Sequence, residues 1–516
     1  MTLNKSAQKK ASRPVTEKIA SSSDTFFSAL HSYKSADWSR NSKEALFNLF
    51  KQASLNVPAY RNFLRKNNIS RSAIRTTEDI TSIPVMSKKN YLRENTFADI
   101  LWHGLTRLPY VLTSTSGSTG KPSYFARSHE VDDQSSLIHE LIFSASSLKK
   151  DKSTLAIVCF GMGVWIGGVI TYQAYERMGR RGYPISILTP GINKTEILKI
   201  LKDLAPQYEQ LILTGYPPFL KDVIDEALAQ GISFKNHRVC LLFAAEAFSE
   251  HFRDHLAEKV GIENPLTDTI NIYGAADIGT MAFETPFSIL ARRLAVKDEK
   301  LFADIFGGTM KTPTLAQYVP EFVSFEVSDG EILISGDSTI PLLRYSIGDH
   351  GGIYTFTELV ERYRKHGIDL LKEAKAAGIQ KHVYELPFVY VFERIDLATT
   401  LYGLQVYPET IREVLLEKRF VDSLTGKLTL VTKYDANHDQ YLEINIEQKP
   451  NKEVSRVFAA KLLAEIVKRL REKNSEFREL CNFLGKRARP KLVFWHYEDP
   501  LYFKPGGKQR WVVRQS

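Results

Sequence analysis

The sequence has few cysteines and no long apolar run. Its three cysteines, Cys159, Cys240 and Cys481, are scattered over 516 residues, which argues against a disulfide framework and excludes a CxxC metal site. The longest apolar runs, such as residues 155–160 and 239–245, are too short to span a membrane. We therefore expect a cytoplasmic protein, in a reducing compartment and without a membrane span.

Length and composition set the class of protein. Hydrophobic residues make up 43% of the chain and charged residues 25%, values typical of a soluble globular protein. A chain of 516 residues exceeds one ordinary hydrophobic core, so we expect two or more domains. The N-terminal segment is polar and basic and lacks the apolar core of a secretory signal. We predict that residues 1–40 form a basic, disordered tail.

Positive charge is concentrated near the C-terminus. The chain has a formal net charge of +10, and residues 451–516 contain 16 Lys and Arg against 7 Asp and Glu, a net charge of +9. Such a segment can attract nucleic acid, a membrane surface or phosphorylated small molecules. Residues 459–479 nevertheless have the spacing of an amphipathic helix with Lys and Arg outward. We interpret most of this charge as a solvated helical face.

Short apolar strands alternate with helices between residues 131 and 273. The alternation predicts an α/β fold with a mostly parallel sheet. From residue 315 the chain becomes strand-rich, which predicts a β subdomain, and after residue 393 it changes to a mixed α+β pattern. We therefore predict domains at residues 41–393 and 394–516. The strands predicted in the alternating part are residues 155–160, 185–188, 210–214, 238–244 and 268–273.

A loop rich in glycine and hydroxyl side chains occupies residues 113–122, which read Thr-Ser-Thr-Ser-Gly-Ser-Thr-Gly-Lys-Pro. Glycines let backbone N–H groups converge on one point, and hydroxyls add donors, so the loop suits a polyanion such as a phosphate chain. It is not a Walker A loop, because Thr115 stands where that pattern needs glycine and Pro122 where it needs Ser or Thr. From these residues alone, a flexible linker is an equal alternative.

Acidic residues follow three predicted strands. Tyr273, Gly274 and Asp277 lie at the end of one strand, where open parallel sheets bind ligands. Tyr273 offers a ring for a base, and Asp277 offers oxygens for Mg²⁺. Glu246 follows another strand, and Asp349 follows a third, where it could accept hydrogen bonds from both hydroxyls of a ribose. Each acid, taken alone, could equally be a solvated turn residue.

Two further glycine-containing segments are candidates for ligand binding. Residues 161–168 follow a strand, but their GxGxxxG spacing and the absence of an acid after the next strand argue against a dinucleotide fingerprint. We interpret Trp165 there as a pocket wall. Near the C-terminus, Lys508 follows two glycines and could place a positive charge on a phosphate. Taken alone, this segment is better explained as a basic tail.

Taken in order, these segments resemble the adenylate-forming superfamily, and most closely its phenylacetate-CoA ligase-like branch. The resemblance covers residues from about Ala45 to the end. Residues 116–122 are similar to the family's phosphate loop and residues 344–349 to its ribose segment. The other matching segments are residues 244–246 (Gly-Ala-Glu in the family), 273–277 (Tyr-Gly-x-x-Glu), 394–396 with 402–408 (the hinge and the start of the lid) and 507–508 (the catalytic lysine).

The resemblance implies an enzyme with two half-reactions. A carboxylic acid attacks ATP, supported by Mg²⁺, to give an acyl-adenylate and pyrophosphate; a small, mobile C-terminal lid domain then pivots, and the acyl group passes to CoA. By resemblance, Lys508 and Arg394 are catalytic, Asp277 binds the metal and Asp396 is the hinge. The residues assigned to ATP are Ser116, Gly117, Ser118, Thr119, Gly120, Ala245, Glu246, Tyr273, Gly274 and Asp349.

The chain departs from the family pattern in four places. Asp277 stands where Glu is usual, Glu393 replaces the Gly before Arg394, and Ala244 replaces a Gly beside the adenine. Residues 357–382 are longer than the usual join between ribose segment and hinge. None of these changes removes a catalytic charge.

The acid and the acceptor are less well defined. Phe160, Trp165 and Tyr216 suggest an apolar, aromatic-lined pocket for an aryl or other apolar carboxylic acid. Relatives in this branch also transfer AMP to a deazaflavin-type cofactor, or an acyl group to a protein or amine, and the ATP-site residues do not separate these reactions. A nucleic-acid-binding protein is a further alternative, but the aromatic residues near the C-terminus lie mainly outside the charged helix. A homodimer is compatible with the sequence.

Overall fold

An 11-stranded sheet runs through the larger part of the molecule, seen here in a computed structural model. The structure describes residues 19–20, 22–106, 109–114, 123–307, 312–392, 399–503 and 512–513. The sheet contains β3 (Thr154–Cys159), β4 (Ile185–Leu188), β5 (Gln210–Gly215), β6 (Arg238–Ala244), β7 (Thr269–Ala275), β8 (Gly279–Phe283), β9 (Thr314–Gln317), β10 (Val323–Ser328), β11 (Glu331–Ser338), β12 (Ile340–Tyr354) and β13 (Phe388–Phe392). A separate hairpin is formed by β1 (Val111–Ser114) and β2 (Tyr124–Arg127).

The helices of this part surround the sheet. They are α1 (Ser23–Ser32), α2 (Ser35–Asn56), α3 (Pro58–Lys66), α4 (His129–Ala145), α5 (Ile166–Arg180), α6 (Lys194–Lys199), α7 (Pro217–Ala229), α8 (Glu250–Val260), α9 (Pro265–Asp268), α10 (Pro286–Val296), α11 (Glu299–Phe306), α12 (Phe356–Lys365) and α13 (Leu370–Ala376). Short 3-10 or π turns lie at Arg71–Ala73, Glu78–Ser82, Lys88–Leu92, Trp102–Gly104, Ile200–Leu204, Ala205–Gln207 and Gln380–His382. Residues 23–40, which the sequence assigned to a disordered tail, are mostly helical in α1 and the start of α2, because Phe26 and Trp38 are buried in the core.

The sheet has a parallel half and an antiparallel half. Strands β4, β3, β5, β6 and β7 are parallel neighbours in that order, and the strands from β8 onward pair antiparallel. The parallel strands β3 and β5 are buried along their whole length, because helices cover both faces. The predicted fold class is confirmed. The strands predicted as a β subdomain continue the same sheet beyond β7.

The C-terminal region, residues 399–503 with 512–513, has an α+β structure. Its sheet consists of β16 (Leu424–Tyr434), β17 (Gln440–Gln448) and β18 (Lys491–Trp495), and a short hairpin is formed by β14 (Thr399–Leu401) and β15 (Leu404–Val406). Its helices are α14 (Pro408–Leu415), α15 (Arg456–Lys473) and α16 (Ser475–Leu484), with a 3-10 turn at Gly485–Ala488. The predicted domain boundary at 393/394 lies outside the described residues.

The C-terminal region packs on one face of the sheet. Alternate side chains of β3 point to opposite faces, as the pleat requires: Leu155 and Ile157 join one apolar cluster, and Ala156 and Val158 join another. The first cluster also contains side chains of the C-terminal region, including Tyr402. None of the helices in the described ranges is long and apolar enough to cross a membrane.

The segment that is longer than the family pattern forms helices α12 and α13. Tyr363 of α12 is fully buried, and its hydroxyl donates a hydrogen bond to the carbonyl of Ala291 at 2.7 Å. The segment therefore packs into the core below the sheet.

Candidate active site

Several of the predicted site residues lie outside the described residues. They are Ser116, Gly117, Ser118, Thr119, Gly120, Arg394, Asp396 and Lys508. The strands on either side of the predicted phosphate loop are described, and Ser114 of β1 pairs with Tyr124 of β2. The N–H of Ser114 also donates to the carbonyl of Val164 at 2.8 Å. The loop therefore begins beside the glycine-rich turn that follows β3.

The ends of β6 and β7 bring two predicted segments together. These strands are parallel neighbours, with Ala244 opposite Ile272, so Glu246 and Tyr273 emerge at the same edge of the sheet. Ala245 has a positive φ of 74°, which turns the chain sharply after β6. The side-chain amide of Asn271 donates to the Glu246 carbonyl at 3.0 Å and holds this turn in place.

Tyr273 and Asp349 are in direct contact. The Tyr273 hydroxyl donates to Oδ2 of Asp349 at 2.6 Å, although the two residues come from β7 and β12. The Tyr273 ring stacks on Phe325, with the ring centres 6.3 Å apart. The residues predicted at adenine and ribose are thus adjacent, as binding of a single nucleoside would require.

Asp277 occupies the tight turn between β7 and β8. A Cβ atom on Gly274 would lie 2.8 Å from the Gly279 carbonyl, so this close approach of the two strands needs glycine. The Asp277 side chain is only 3% exposed, and its Oδ2 lies 3.2 Å from Nζ of Lys88. Its Oδ1 accepts a hydrogen bond from the Tyr345 hydroxyl at 2.6 Å.

This arrangement does not fit a bound magnesium ion as it stands. Mg²⁺ requires oxygen ligands at short distance, whereas an ammonium group and a hydroxyl already occupy the two Asp277 oxygens. Within the described part of the chain, no group of three or more His, Cys, Asp or Glu side chains could hold a metal ion. The assignment of Asp277 to the metal stays a prediction. Lys88 belongs to the segment Ile83-Pro84…Lys88, which also resembles the family, but its contact with Asp277 was not predicted from the sequence.

Glu246 connects the sheet to the C-terminal region. It is 4% exposed, and its Oε1 accepts a hydrogen bond from the N–H of Gly403 at the tip of the β14–β15 hairpin. Its Oε2 accepts a hydrogen bond from the Gln440 amide at 3.0 Å. The predicted role of Glu246 in ATP binding is untested, and its observed partners are groups of the C-terminal region.

Two of the three predicted pocket residues line one narrow cavity. Trp165 and Tyr216 border a cavity with about 20 Å³ of space for a water-sized sphere, and Tyr402 and Leu404 close it from the C-terminal region. Phe160 is 2% exposed and packs edge-on against Tyr216, with ring centres 5.2 Å apart, so it supports the wall from behind. The cavity lies at the same edge of the sheet as Glu246.

Comparisons with known proteins identify the fold. No protein-family profile matches the chain, and no curated protein matches it. A solved structure of 2-hydroxyisobutyryl-CoA ligase, in complex with 2-HIB-AMP and CoA in the thioesterification state, is similar with a TM-score of 0.61 and 16% identity, covering 92% of this chain and 90% of that one. This chain shares the fold of that ligase. The resemblance inferred from the motifs is therefore confirmed at the level of the fold.

Other solved structures are similar at lower scores. Malonyl-CoA ligase, in a ternary product complex, has a TM-score of 0.41 and 12% identity, covering 75% of this chain and 70% of that one. The amide bond synthetase McbA from Marinactinospora thermotolerans has a TM-score of 0.42 and 12% identity, covering 74% and 65%.

Proposed function

We propose that this protein activates an aryl or other apolar carboxylic acid with ATP, releases pyrophosphate and transfers the acyl group to CoA. The observation that carries the proposal is the contact of Asp349 with Tyr273, which lies near the carboxyl end of the parallel strand β7. It places an aromatic ring and a carboxylate where one nucleoside could meet both. The segment proposed as a triphosphate clamp, residues 116–120, follows Ser114 in the sequence, and the N–H of Ser114 donates to the carbonyl of Val164.

In the first half-reaction the protein positions and neutralises charged groups. Hydroxyls and backbone N–H groups of residues 116–120 would hold the β- and γ-phosphates, and Lys508 would neutralise charge on the attacking carboxylate and the α-phosphate. Arg394 would assist at the ribose. The side chains of Phe160, Trp165 and Tyr216 would contribute to the pocket for the apolar part of the acid.

For the second half-reaction we assign the C-terminal region, from residue 394, as a lid that pivots at Asp396. In the observed position the lid places the Tyr402–Gly403 tip against the sheet edge. The similar ligase with a TM-score of 0.61 is in its thioesterification state, which supports assigning this lid position to acyl transfer. AMP transfer to a deazaflavin-type cofactor and acyl transfer to an amine or protein remain the alternatives.

The nucleic-acid alternative has less support. Several cations of the basic helix α15 pair with acids of the C-terminal region itself: Arg469 with Glu417 at 2.9 Å and Lys473 with Glu413 at 2.6 Å. Cations engaged in this way contribute less to a polyanion-binding face.

The decisive measurement is exchange of labelled pyrophosphate into ATP, across a panel of aryl and apolar acids. We expect at least one acid to support exchange and Lys508→Ala to lose about 100-fold or more while ATP still binds. Absence of exchange with every acid, together with AMP attached to an added deazaflavin cofactor, would overturn the ligase assignment.

A further inference from the structure

The cavity beside Trp165 exists only while the lid is docked. One wall comes from loops after β3 and β5 and includes Trp165 and Tyr216, and the other comes from the lid and includes Tyr402, Glu476 and Leu480. All the other lining residues are apolar, aromatic or glycine, so Glu476 is the one carboxylate at this cavity in the described part of the chain.

Glu476 has no partner for its carboxylate. It lies in the first turn of α16, but the cap of that helix is Asn474, whose side chain accepts a hydrogen bond from the N–H of Phe477 at 2.9 Å. No hydrogen bond or ion pair joins the Glu476 carboxylate to another described residue. Burial raises the pKa of this carboxyl from 4.5 to about 7. The Glu476 side chain is half-buried. A carboxyl with a raised pKa that lines a cavity is a candidate for acid–base chemistry.

The opposite wall carries an unpaired donor. The indole Nε1 of Trp165 is shielded from solvent and has no hydrogen-bond acceptor among the described residues. An unpaired donor on the sheet side and an unpaired acceptor on the lid side of one cavity indicate a polar ligand group between them. The other titratable groups at the cavity are the phenols of Tyr216 and Tyr402, and burial raises the pKa of both far above neutrality.

We propose that Glu476 takes the proton from the CoA thiol as it attacks the acyl-adenylate; this inference rests on the proposed function. The sulfur forms its bond to the acyl carbon while the S–H proton passes to the Glu476 carboxylate. The bond from the acyl carbon to the phosphate oxygen breaks, and its electron pair leaves with AMP. When the lid undocks, the carboxyl returns its proton to water.

A carboxylate suits this step for two reasons. A base that titrates near the operating pH accepts a proton efficiently and still releases it afterwards. Its position on the lid also brings it to the sheet edge only when the lid is docked, so it would take no part in adenylate formation.

The test separates the two half-reactions in Glu476→Gln, with Glu479→Gln as the matched control. Glu479 lies on the same helix but does not line the cavity. We expect Glu476→Gln to retain pyrophosphate exchange within about 2-fold but to lose about 100-fold in single-turnover transfer of a preformed adenylate to CoA. Glu479→Gln should keep both rates, and Glu476→Asp should recover part of the transfer rate. The wild-type transfer rate should rise with pH through an ionisation near 7 that is absent in Glu476→Gln.

The outcomes are distinguishable. If the wild type exchanges pyrophosphate but Glu476→Gln transfers to CoA at the wild-type rate, the role of Glu476 is wrong while the ligase function stands. If the adenylate forms but CoA is never acylated, the acceptor and this inference are both wrong. Equal losses of exchange and transfer in Glu476→Gln would indicate a structural role and overturn the proposal. If no acid supports exchange, the proposed function itself fails.

Discussion

At the scale of single residues, the pairing of Lys88 with Asp277 defines the base of the site. The Asp277 side chain is almost fully buried, whereas Lys88 keeps 30% of its side chain exposed. A buried carboxylate is tolerated because a cation and a hydroxyl compensate it. The contact also attaches the N-terminal helical part of the chain to the sheet.

We predict that Lys88→Met lowers the free energy of unfolding by about 2 kcal/mol, because it leaves a buried carboxylate without its cation. The midpoint of thermal or urea unfolding measures the loss. The double variant Lys88→Met/Asp277→Asn should be more stable than Lys88→Met alone, since the unpaired charge is then removed. A Lys88→Met protein as stable as the wild type would show that the pair contributes nothing.

At the scale of elements, the β14–β15 hairpin positions the lid. Its tip residues Tyr402 and Gly403 both have positive φ, 49° and 81°. A Cβ on Gly403 would lie 2.2 Å from the Tyr216 ring. The tip can approach the sheet only because this residue has no side chain.

We predict that Gly403→Ala displaces the hairpin from Tyr216 and slows acyl transfer about 10-fold or more, while pyrophosphate exchange changes much less. Single-turnover transfer and exchange measure the two effects. Gly330→Ala is the matched control: Gly330 follows Asp329 in the turn between β10 and β11, has φ of 79°, and no atom lies within 4 Å of the added Cβ. Both variants have similar backbone strain, so equal transfer rates in the two would contradict the proposed role of the hairpin.

The elements differ in how far the sequence predicts them. A continuous apolar run predicts a strand at residues 155–160, and the structure has Thr154–Cys159, because a strand covered on both faces needs apolar side chains throughout. The Tyr273 and Asp349 segments could be matched to a family pattern, and the structure brings them together. The partner of Asp277 could not be predicted: Lys88 lies in a local turn, and nothing near it in sequence indicates which carboxylate it will meet.

The contacts of Glu246 were unpredictable for the same reason. Its hydrogen bond to Gly403 spans 157 residues and depends on how the lid packs on the sheet. Apolar residues that repeat every 2 residues in a strand or every 3.6 in a helix identify its buried face, but they do not identify the surface that packs on that face.

At the scale of the whole molecule, ionisable groups hold the lid against the sheet. Lys221 is 1% exposed and lies 2.7 Å from both Asp225 of its own helix and Asp439 of the lid. Arg487 of the lid lies 2.9 Å from Asp222. The docked position therefore depends on pH as well as on apolar packing.

A cluster of three histidines lies at the same contact. The His438 ring of the lid is 5.2 Å from His251 and 5.1 Å from His255, both on α8. The pKa values of His255 and His438 are lowered, mainly by burial. Their charged neighbours also include Lys221 and Lys259, which lower these pKa values further. Asp225, beside His255, and Asp435, beside His438, act in the opposite direction.

We predict that the lid undocks as the pH falls below about 6.5, the ordinary pKa of histidine. A docked lid with lowered histidine pKa values binds fewer protons than an undocked one, so docking is unaffected above that pH and is weakened progressively below it. Small-angle X-ray scattering at pH 7.5 and 5.5 should show a larger radius of gyration at the lower pH. His438→Asn should reduce this expansion. His366→Asn is the matched control, because His366 pairs with Asp304 away from the lid, at 3.2 Å.

Glu476 has the opposite effect from the histidines on the pH dependence of lid docking, so the two contributions can be separated. Its raised pKa means that the docked lid binds more protons, so its contribution to docking is lost as the pH rises through about 7. Glu476→Gln should therefore dock more tightly than the wild type at pH 8, and this difference should shrink as the pH falls from 7 towards 4.5, where the docked carboxyl is protonated and the undocked one increasingly so. Identical scattering of the two proteins at pH 8 would show that this carboxyl does not oppose docking.

An expansion at pH 5.5 that His438→Asn leaves unchanged would exclude the histidine cluster as its cause.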